Sequence, residues 1–254
     1  MTIRLILLML LLAAGGLPAQ TGDASREDWP DGSEILARVD SNALATNRVF
    51  TSTMIIHGRR GSRTVTSKSY VSGTEKSFTE YLSPPREAGT KMLKLDDQLW
   101  TYSPETDRTI RISGHMLRQS VMGSDLSYED MMEDKSLSRL YAATVVGDTV
   151  KNERPCWILE LTATAGDPAY YRRRVWVDQE RYVVWREERF AKSGKLLKTT
   201  DVKEVMQRDG RWAISHVVFK DELKKGKGTE FILDDLQYDA VIPAYVFTKA
   251  ALRR

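Results

Sequence analysis

The chain has 254 residues, with 38 Lys and Arg against 35 Asp and Glu, a formal charge of +3, and 41% hydrophobic residues. So even a balance lacks the clustered basic face of a dedicated nucleic-acid binder. Cys156 is the single cysteine, which excludes an internal disulfide.

The first element is a leader. Arg4, an apolar run over residues 5–14 and the stretch Gly15-Gly16-Leu17-Pro18-Ala19-Gln20 are the three parts of a secretory signal peptide. The run falls short of the ~20 apolar residues of a membrane-spanning helix. Residues 1–20 are expected to be removed on export, after Ala19 or Gln20, and the charge then falls to +2 with the loss of Arg4. No cysteine stands immediately after the cleavage point, which predicts a soluble periplasmic chain with no lipid anchor at its own N-terminus.

Residues 21–32 read as a polar leader with a Trp29-Pro30-Asp31-Gly32 turn, and residues 33–254 as one domain. Ser33 opens a stretch in which Ile35, Leu36, Val39 and Ala43 recur at helical spacing with charges opposite, an amphipathic helix. Short β-rich runs follow over residues 50–57, 62–72, 76–82, 91–95, 98–102 and 109–112, joined by turn residues such as Gly58, Gly61, Gly73 and Asp96-Asp97. Residues 114–140 lack alternation, are rich in Met and Ser, and predict short helices around 128–132 and 136–141. Strands resume over 143–150, 156–163, 171–178, 182–191, 195–205, 211–220 and 229–237, and a helix-like piece at 247–254 reads as a cap.

About ten strands with few helices predict one continuous, strongly curved antiparallel sheet. Trp157, Leu159 and Leu161 share one face of their strand, as do Val183 with Trp185 and Trp100 with Tyr102, while Lys, Arg, Glu and Thr occupy the opposite faces. Such a sheet buries one face. One long helix is little to cover it with, so either the sheet closes on itself or its concave side holds something else.

Lys91-Met92-Leu93-Lys94-Leu95-Asp96-Asp97-Gln98-Leu99-Trp100-Thr101-Tyr102-Ser103-Pro104 with Arg111-Ile112-Ser113-Gly114, and Met122-Gly123-Ser124-Asp125-Leu126-Ser127-Tyr128-Glu129-Asp130, carry a resemblance. With Val175-Trp176-Val177-Asp178 they resemble the LolA-like outer-membrane lipoprotein-sorting family, in a branch distinct from LolA itself. The resemblance covers nearly all of the chain after the leader, and the Gly-Ser-Asp-Leu-Ser-Tyr-Glu-Asp segment is its most specific part.

What it implies is a mainly β fold, an incomplete, half-open antiparallel β-barrel of about eleven strands closed by a few helices, LolA/LolB-like. It also implies a carrier that holds acyl chains of lipids or lipoproteins in an apolar hollow and moves them toward the outer membrane. Candidate lining residues are Trp100, Tyr102, Met116, Met122, Leu126, Met131, Trp157, Leu159, Leu161 and Trp185. Met116, Met122, Met131 and Met132 fall in the segment expected to cover the hollow, where a flexible thioether adapts to irregular shapes. An inner-membrane transporter and an outer-membrane acceptor are the candidate partners of such a carrier, expected to be a monomer. A periplasmic accessory of a membrane lipid exporter, acting through protein contact, is the alternative.

Catalytic signals are missing from the pattern, and no cofactor or metal is expected. His57, His115 and His216 are scattered without metal-ligand spacing. Gly123-Ser124-Asp125 lacks the strand-to-helix context of a nucleophile elbow, and no phosphate loop or dinucleotide fingerprint occurs. Cys156, in a strand-like run, reads as a buried thiol. Glu129, Asp130, Glu133 and Asp134 read as a solvated acidic helix start ahead of a cation site, and Arg172-Arg173-Arg174 and Lys224-Lys225-Gly226-Lys227 as solvated strand edges, with acidic lipid head groups or a partner as the alternative contact.

Overall fold

The computed structural model describes residues 29–43, 47–58, 61–133, 136–164 and 168–254. The signal peptide expected over residues 1–20 lies outside the described residues.

The amphipathic stretch forms α1 (Gly32–Ala43), entered through Asp31, whose Oδ1 accepts the Ser33 N–H at 2.8 Å. Each β-rich run becomes a strand. These are β1 (Asn47–Gly58), β2 (Gly61–Ser72), β3 (Lys76–Ser83), β4 (Lys91–Leu95), β5 (Gln98–Ser103) and β6 (Arg108–Ile112), then β7 (Tyr141–Lys151), β8 (Arg154–Ala163), β9 (Arg172–Asp178), β10 (Val184–Phe190), β11 (Leu196–Arg208), β12 (Arg211–Asp221) and β13 (Thr229–Tyr238). Between the two groups run 3-10 turns at Gly114–Arg118 and Val121–Gly123 and the short helices α2 (Tyr128–Met132) and α3 (Leu137–Leu140).

All thirteen strands join one antiparallel sheet in the order β6-β5-β4-β3-β2-β1-β13-β12-β11-β10-β9-β8-β7. The sheet is open, with thirteen strands where the resemblance implied about eleven. Its only junction between strands distant in the chain is β1 against β13, with Met54 opposite Phe231 and Ile56 opposite Thr229. The two edges, β6 and β7, are consecutive in the chain, and the helical segment 113–140 spans the gap between them.

Cross-strand partners share a face, so the register assigns every side chain to one side. Ile112, Leu99, Met92, Val65, Met54, Phe231, Val217, Glu187, Val175, Leu159 and Val145 lie on one continuous face. That face is concave, and it receives α1 at the β7 end and the segment 113–140 toward the β6 end. Ile35, Leu36 and Val39 of α1 are buried against Val145, Leu159, Leu161, Val175 and Val177. The helix can approach so closely because of Gly32, where a Cβ would stand 2.6 Å from the Ala143 carbonyl oxygen of edge strand β7. Asp40, on the same helix, is buried rather than part of a charged outer face. Its carboxylate accepts the N–H groups of Leu137 and Ser138 at 3.0 Å each, which ties α1 to the start of α3.

Over β3–β5 the opposite face is also buried. Phe78, Leu93 and Trp100 pack there against Val246, Ala251 and Leu252 of the C-terminal 3-10 turns, and Lys91 Nζ donates to the Arg254 carbonyl. The C-terminal piece thus caps the convex side, as its apolar residues require.

Candidate functional site

The concave face under segment 113–140 divides into an apolar part and a polar part. In the apolar part Met54, Ile56, Val65, Tyr81, Met92, Leu99 and Ile112 of the sheet meet Val121 and the half-buried Met116, Leu117, Met122, Tyr128 and Met132 of the covering segment. Five methionines therefore meet at one interface. Strand alternation places two of them, Met54 and Met92, on the sheet side; sequence reasoning had named only those of the cover.

The polar part fastens the cover to the strands. Gly123, at φ +69°, occupies a backbone region open chiefly to glycine, and the preceding Met122 carbonyl accepts from Arg63. Asp125 accepts the Thr229 hydroxyl at 2.8 Å and the Asp221 N–H at 2.9 Å. Ser127 and Asp130 form a reciprocal capping box at the start of α2. From there Asp130 reaches into the sheet, accepting Lys198 Nζ at 2.5 Å, the Tyr170 hydroxyl at 2.6 Å and Arg189 at 3.2 Å. The family-specific Gly-Ser-Asp-Leu-Ser-Tyr-Glu-Asp segment is thus a row of fasteners between cover and strands.

Among the described residues Arg173 is the largest fully buried side chain, at 1% exposure. It donates to Glu187 at 2.5 Å and to Glu133, and its guanidinium stacks over the rings of Tyr141 at 4.8 Å and Tyr170 at 5.4 Å. Arg189 completes the network by donating to Glu187 at 2.8 Å. Two sequence expectations are corrected here. Asp130 and Glu133 are paired internally instead of solvated, and Asp134 lies outside the described residues. The three arginines are not a solvated strand edge, because β9 is interior and residues along a strand alternate in direction. Arg173 points into the hollow, while Arg172 and Arg174 bind Glu160 on the other face at 3.4 and 2.6 Å.

Burial alone would raise the Asp130 carboxyl, but the Lys198 and Arg189 cations beside it and the Ser127 N–H bring it down to about 2. Glu187 is also raised by burial and overruled by Arg189 and Arg173, reaching about 2. Both values lie below those of the unfolded chain, so the two groups contribute stability that is complete above about pH 4.5 and lost as pH falls toward 2. Thermal unfolding scanned from pH 6 to 2 should show a midpoint falling through that window. Glu187→Gln should flatten the fall, and an unchanged profile in that variant would count against the assignment.

The ten candidate lining residues separate. Met116 and Met122 lie in the apolar part. Leu159, Leu161 and Trp157 share the concave face but pack with α1, Trp157 standing 5.9 Å from the Tyr182 ring. Trp185 joins Cys156, Val202 and Val217 in another cluster. Leu126 is half-buried on the wall of a polar cleft at the sheet rim, and Met131 points outward at 37% exposure. Trp100 and Tyr102 belong to the opposite face, under the C-terminal turns, because residues 99 and 100 alternate and Leu99 is the one that faces the hollow.

His57 and His216 each bond one oxygen of Glu230, at 2.6 and 2.8 Å, as sheet residues with a satisfied partner. Cys156 is fully buried, and burial, with Asp178 nearby, pushes its thiol up to about 11, which makes it a poor nucleophile. Among the described residues no helix is long and apolar enough to cross a membrane.

An open antiparallel half-barrel, its concave face covered by a helical segment and a helix, is the LolA-like class of fold. A DUF1329 family protein from Desulfovibrio piger superposes with a TM-score of 0.80 at 25% identity, covering 87% of this chain and 97% of its own. A putative outer membrane lipoprotein-sorting protein domain from Vibrio parahaemolyticus gives 0.78 at 24%, covering 91% and 100%. A LolA superfamily protein from Nitrosomonas europaea gives 0.72 at 20%, covering 88% and 100%. No curated protein matches the chain. Residues 73–254 match a protein-family model described as "-like: Uncharacterized protein", and the chain belongs to that family.

Proposed function

We propose that the protein is a non-catalytic periplasmic carrier that holds the acyl chains of lipids or lipoproteins between its concave sheet and segment 113–140, and delivers them toward the outer membrane. The observation that carries this reading is the meeting of five methionines, Met54, Met92, Met116, Met122 and Met132, at the interface of sheet and cover. Flexible, polarisable side chains of this kind suit surfaces that repack around varied partners. The cover packs its own side chains against the sheet face. An acyl chain would take their place as the cover lifts, in contact with the same sheet residues.

The energetics give such a carrier its purpose. Each exposed methylene costs ~0.8 kcal/mol, so a chain of about fifteen carries roughly 12 kcal/mol of unfavourable hydration across an aqueous compartment. Dispersion and apolar burial remove that cost without directional bonds. The lipoprotein-sorting description of the Vibrio relative favours the same reading, with an inner-membrane donor and an outer-membrane acceptor at either end of the route.

Protein purified gently from a bacterial periplasm should carry phospholipid or acylated species detectable by mass spectrometry. After stripping, it should bind a fluorescent fatty acid saturably, and Met116→Lys should weaken that binding at least about tenfold, since a charge beside the chain costs more than 1.4 kcal/mol. Failure of the stripped wild-type protein to bind the probe would overturn the proposal.

A further inference from the structure

At one rim of the half-barrel lie residues 168–171 before β9 and the connections β10–β11 and β12–β13, together with the start of the cover's fastened stretch. Between them opens a cleft of about 510 Å³, whose wall includes Arg118, Tyr171, Lys192, Leu223 and Lys224. Leu223 is 59% exposed and Tyr171 40%, and both belong to the wall of this one cleft. Leu223 stands at the tip of the β12–β13 hairpin, followed directly by Lys224, Lys225 and Lys227, all exposed. Most acids of this rim already accept hydrogen bonds within the protein, although Glu222 is exposed. Asp125 accepts from Thr229 and the Asp221 backbone, Asp221 from the Leu223 N–H, and Glu222 from Thr199 at 2.6 Å. Glu129 is the remaining acid of the cleft wall.

We propose that this rim docks on the surface of an anionic phospholipid bilayer, with Leu223 and Tyr171 entering the interfacial layer and Arg118, Lys192, Lys225 and Lys227 meeting the phosphates. Charge complementarity selects this occupant: basic side chains ring two exposed groups that an interface accepts, an aliphatic tip and an amphipathic ring. Lys224 has a different task. Its ammonium bridges to the Ser120 hydroxyl at 2.6 Å and the Ser124 carbonyl at 2.8 Å, so the docking hairpin and the fastened cover are mechanically joined. Contact with the bilayer would therefore act on the fasteners of the cover. The inference goes beyond the carrier reading and rests on it only for the purpose of that joint.

The experiment is co-sedimentation of the full mature chain with vesicles of phosphatidylglycerol and phosphatidylcholine in equal parts, and with vesicles of phosphatidylcholine alone. Binding should favour the anionic vesicles and weaken with salt. Lys225→Glu combined with Lys227→Glu should lower it at least about tenfold, given roughly fivefold per basic residue near such a surface. Leu223→Ser should lower it at least about fivefold through the lost apolar burial. Thermal unfolding and fatty-acid binding should stay unchanged in both variants.

Equal partition onto both vesicle types, or variants that bind as the parent does, would overturn the proposal. So would capture by a membrane protein with no binding to pure lipid. Vesicle binding without fatty-acid binding would sink the carrier reading and leave the docking surface standing.

Discussion

Asp130→Ala is expected to lower folding stability by about 3–5 kcal/mol, the cost of removing one partner from a buried ion pair. Its carboxylate sits among Lys198, Arg189, Tyr170 and the Ser127 N–H. Truncation takes from Lys198 its carboxylate, leaves Arg189 with Glu187 alone, frees the Tyr170 hydroxyl and opens the α2 capping box at once. For a chain of this size the change corresponds to a fall of about 6–20 °C in unfolding midpoint, read by calorimetry or circular dichroism. Glu129→Ala, one residue earlier on the same helix, should stay within about 0.5 kcal/mol. Equal effects in the two variants would mean that Asp130 is an ordinary helix-start acid.

Asp178→Ala should cost a comparable amount, about 3–5 kcal/mol, at the opposite end of the strands. Asp178 is fully buried at the end of β9. It accepts from Arg154 at 3.0 and 3.3 Å, from the Trp185 indole N–H at 3.1 Å, and from the Glu180 and Arg181 backbone N–H groups at 2.9 Å each. Burial opposes its ionisation, yet these donors hold the carboxyl at about 2. Denaturant unfolding should show the midpoint falling with little change in slope. Trp185→Phe, which removes only the indole donor, should cost about 1 kcal/mol through that bond. A small effect for Asp178→Ala would show that the β9–β10 turn holds its shape without the carboxylate.

Much of the architecture was legible because strand alternation, turn residues and the spacing of Ile35, Leu36 and Val39 are local signals. Every β-rich run is a strand, and the break at 114–140 is the cover. What local pattern does not encode is which strand faces meet across the sheet. The alternation of Leu99 and Trp100 shows that both sides of β5 are apolar, and only the C-terminal turns decide that Trp100 belongs outside. Arg173 is the clearest case. A run of three arginines suggests one solvated patch, but its middle member is buried because Glu133 and Glu187, distant in the chain, come to meet it. Met54 and Met92 carried a weaker signal that face-by-face register would have found.

The sheet order has a consequence for motion. Because β1 and β13 are paired in the middle of the sheet and the edges β6 and β7 are neighbours in the chain, the sheet is one continuous run of hairpins with two free edges, and the cover is the chain that crosses the seam from one edge to the other. Widening at that seam breaks no strand ladder. Resistance to it would come from the apolar packing of the cover and from side-chain fasteners such as Asp125, Asp130 and Lys224, so their strength, and not that of the sheet, would set how often the seam gapes. A circular permutant that joins the present termini and begins within residues 113–140 would keep all twelve strand pairings while freeing one side of the seam.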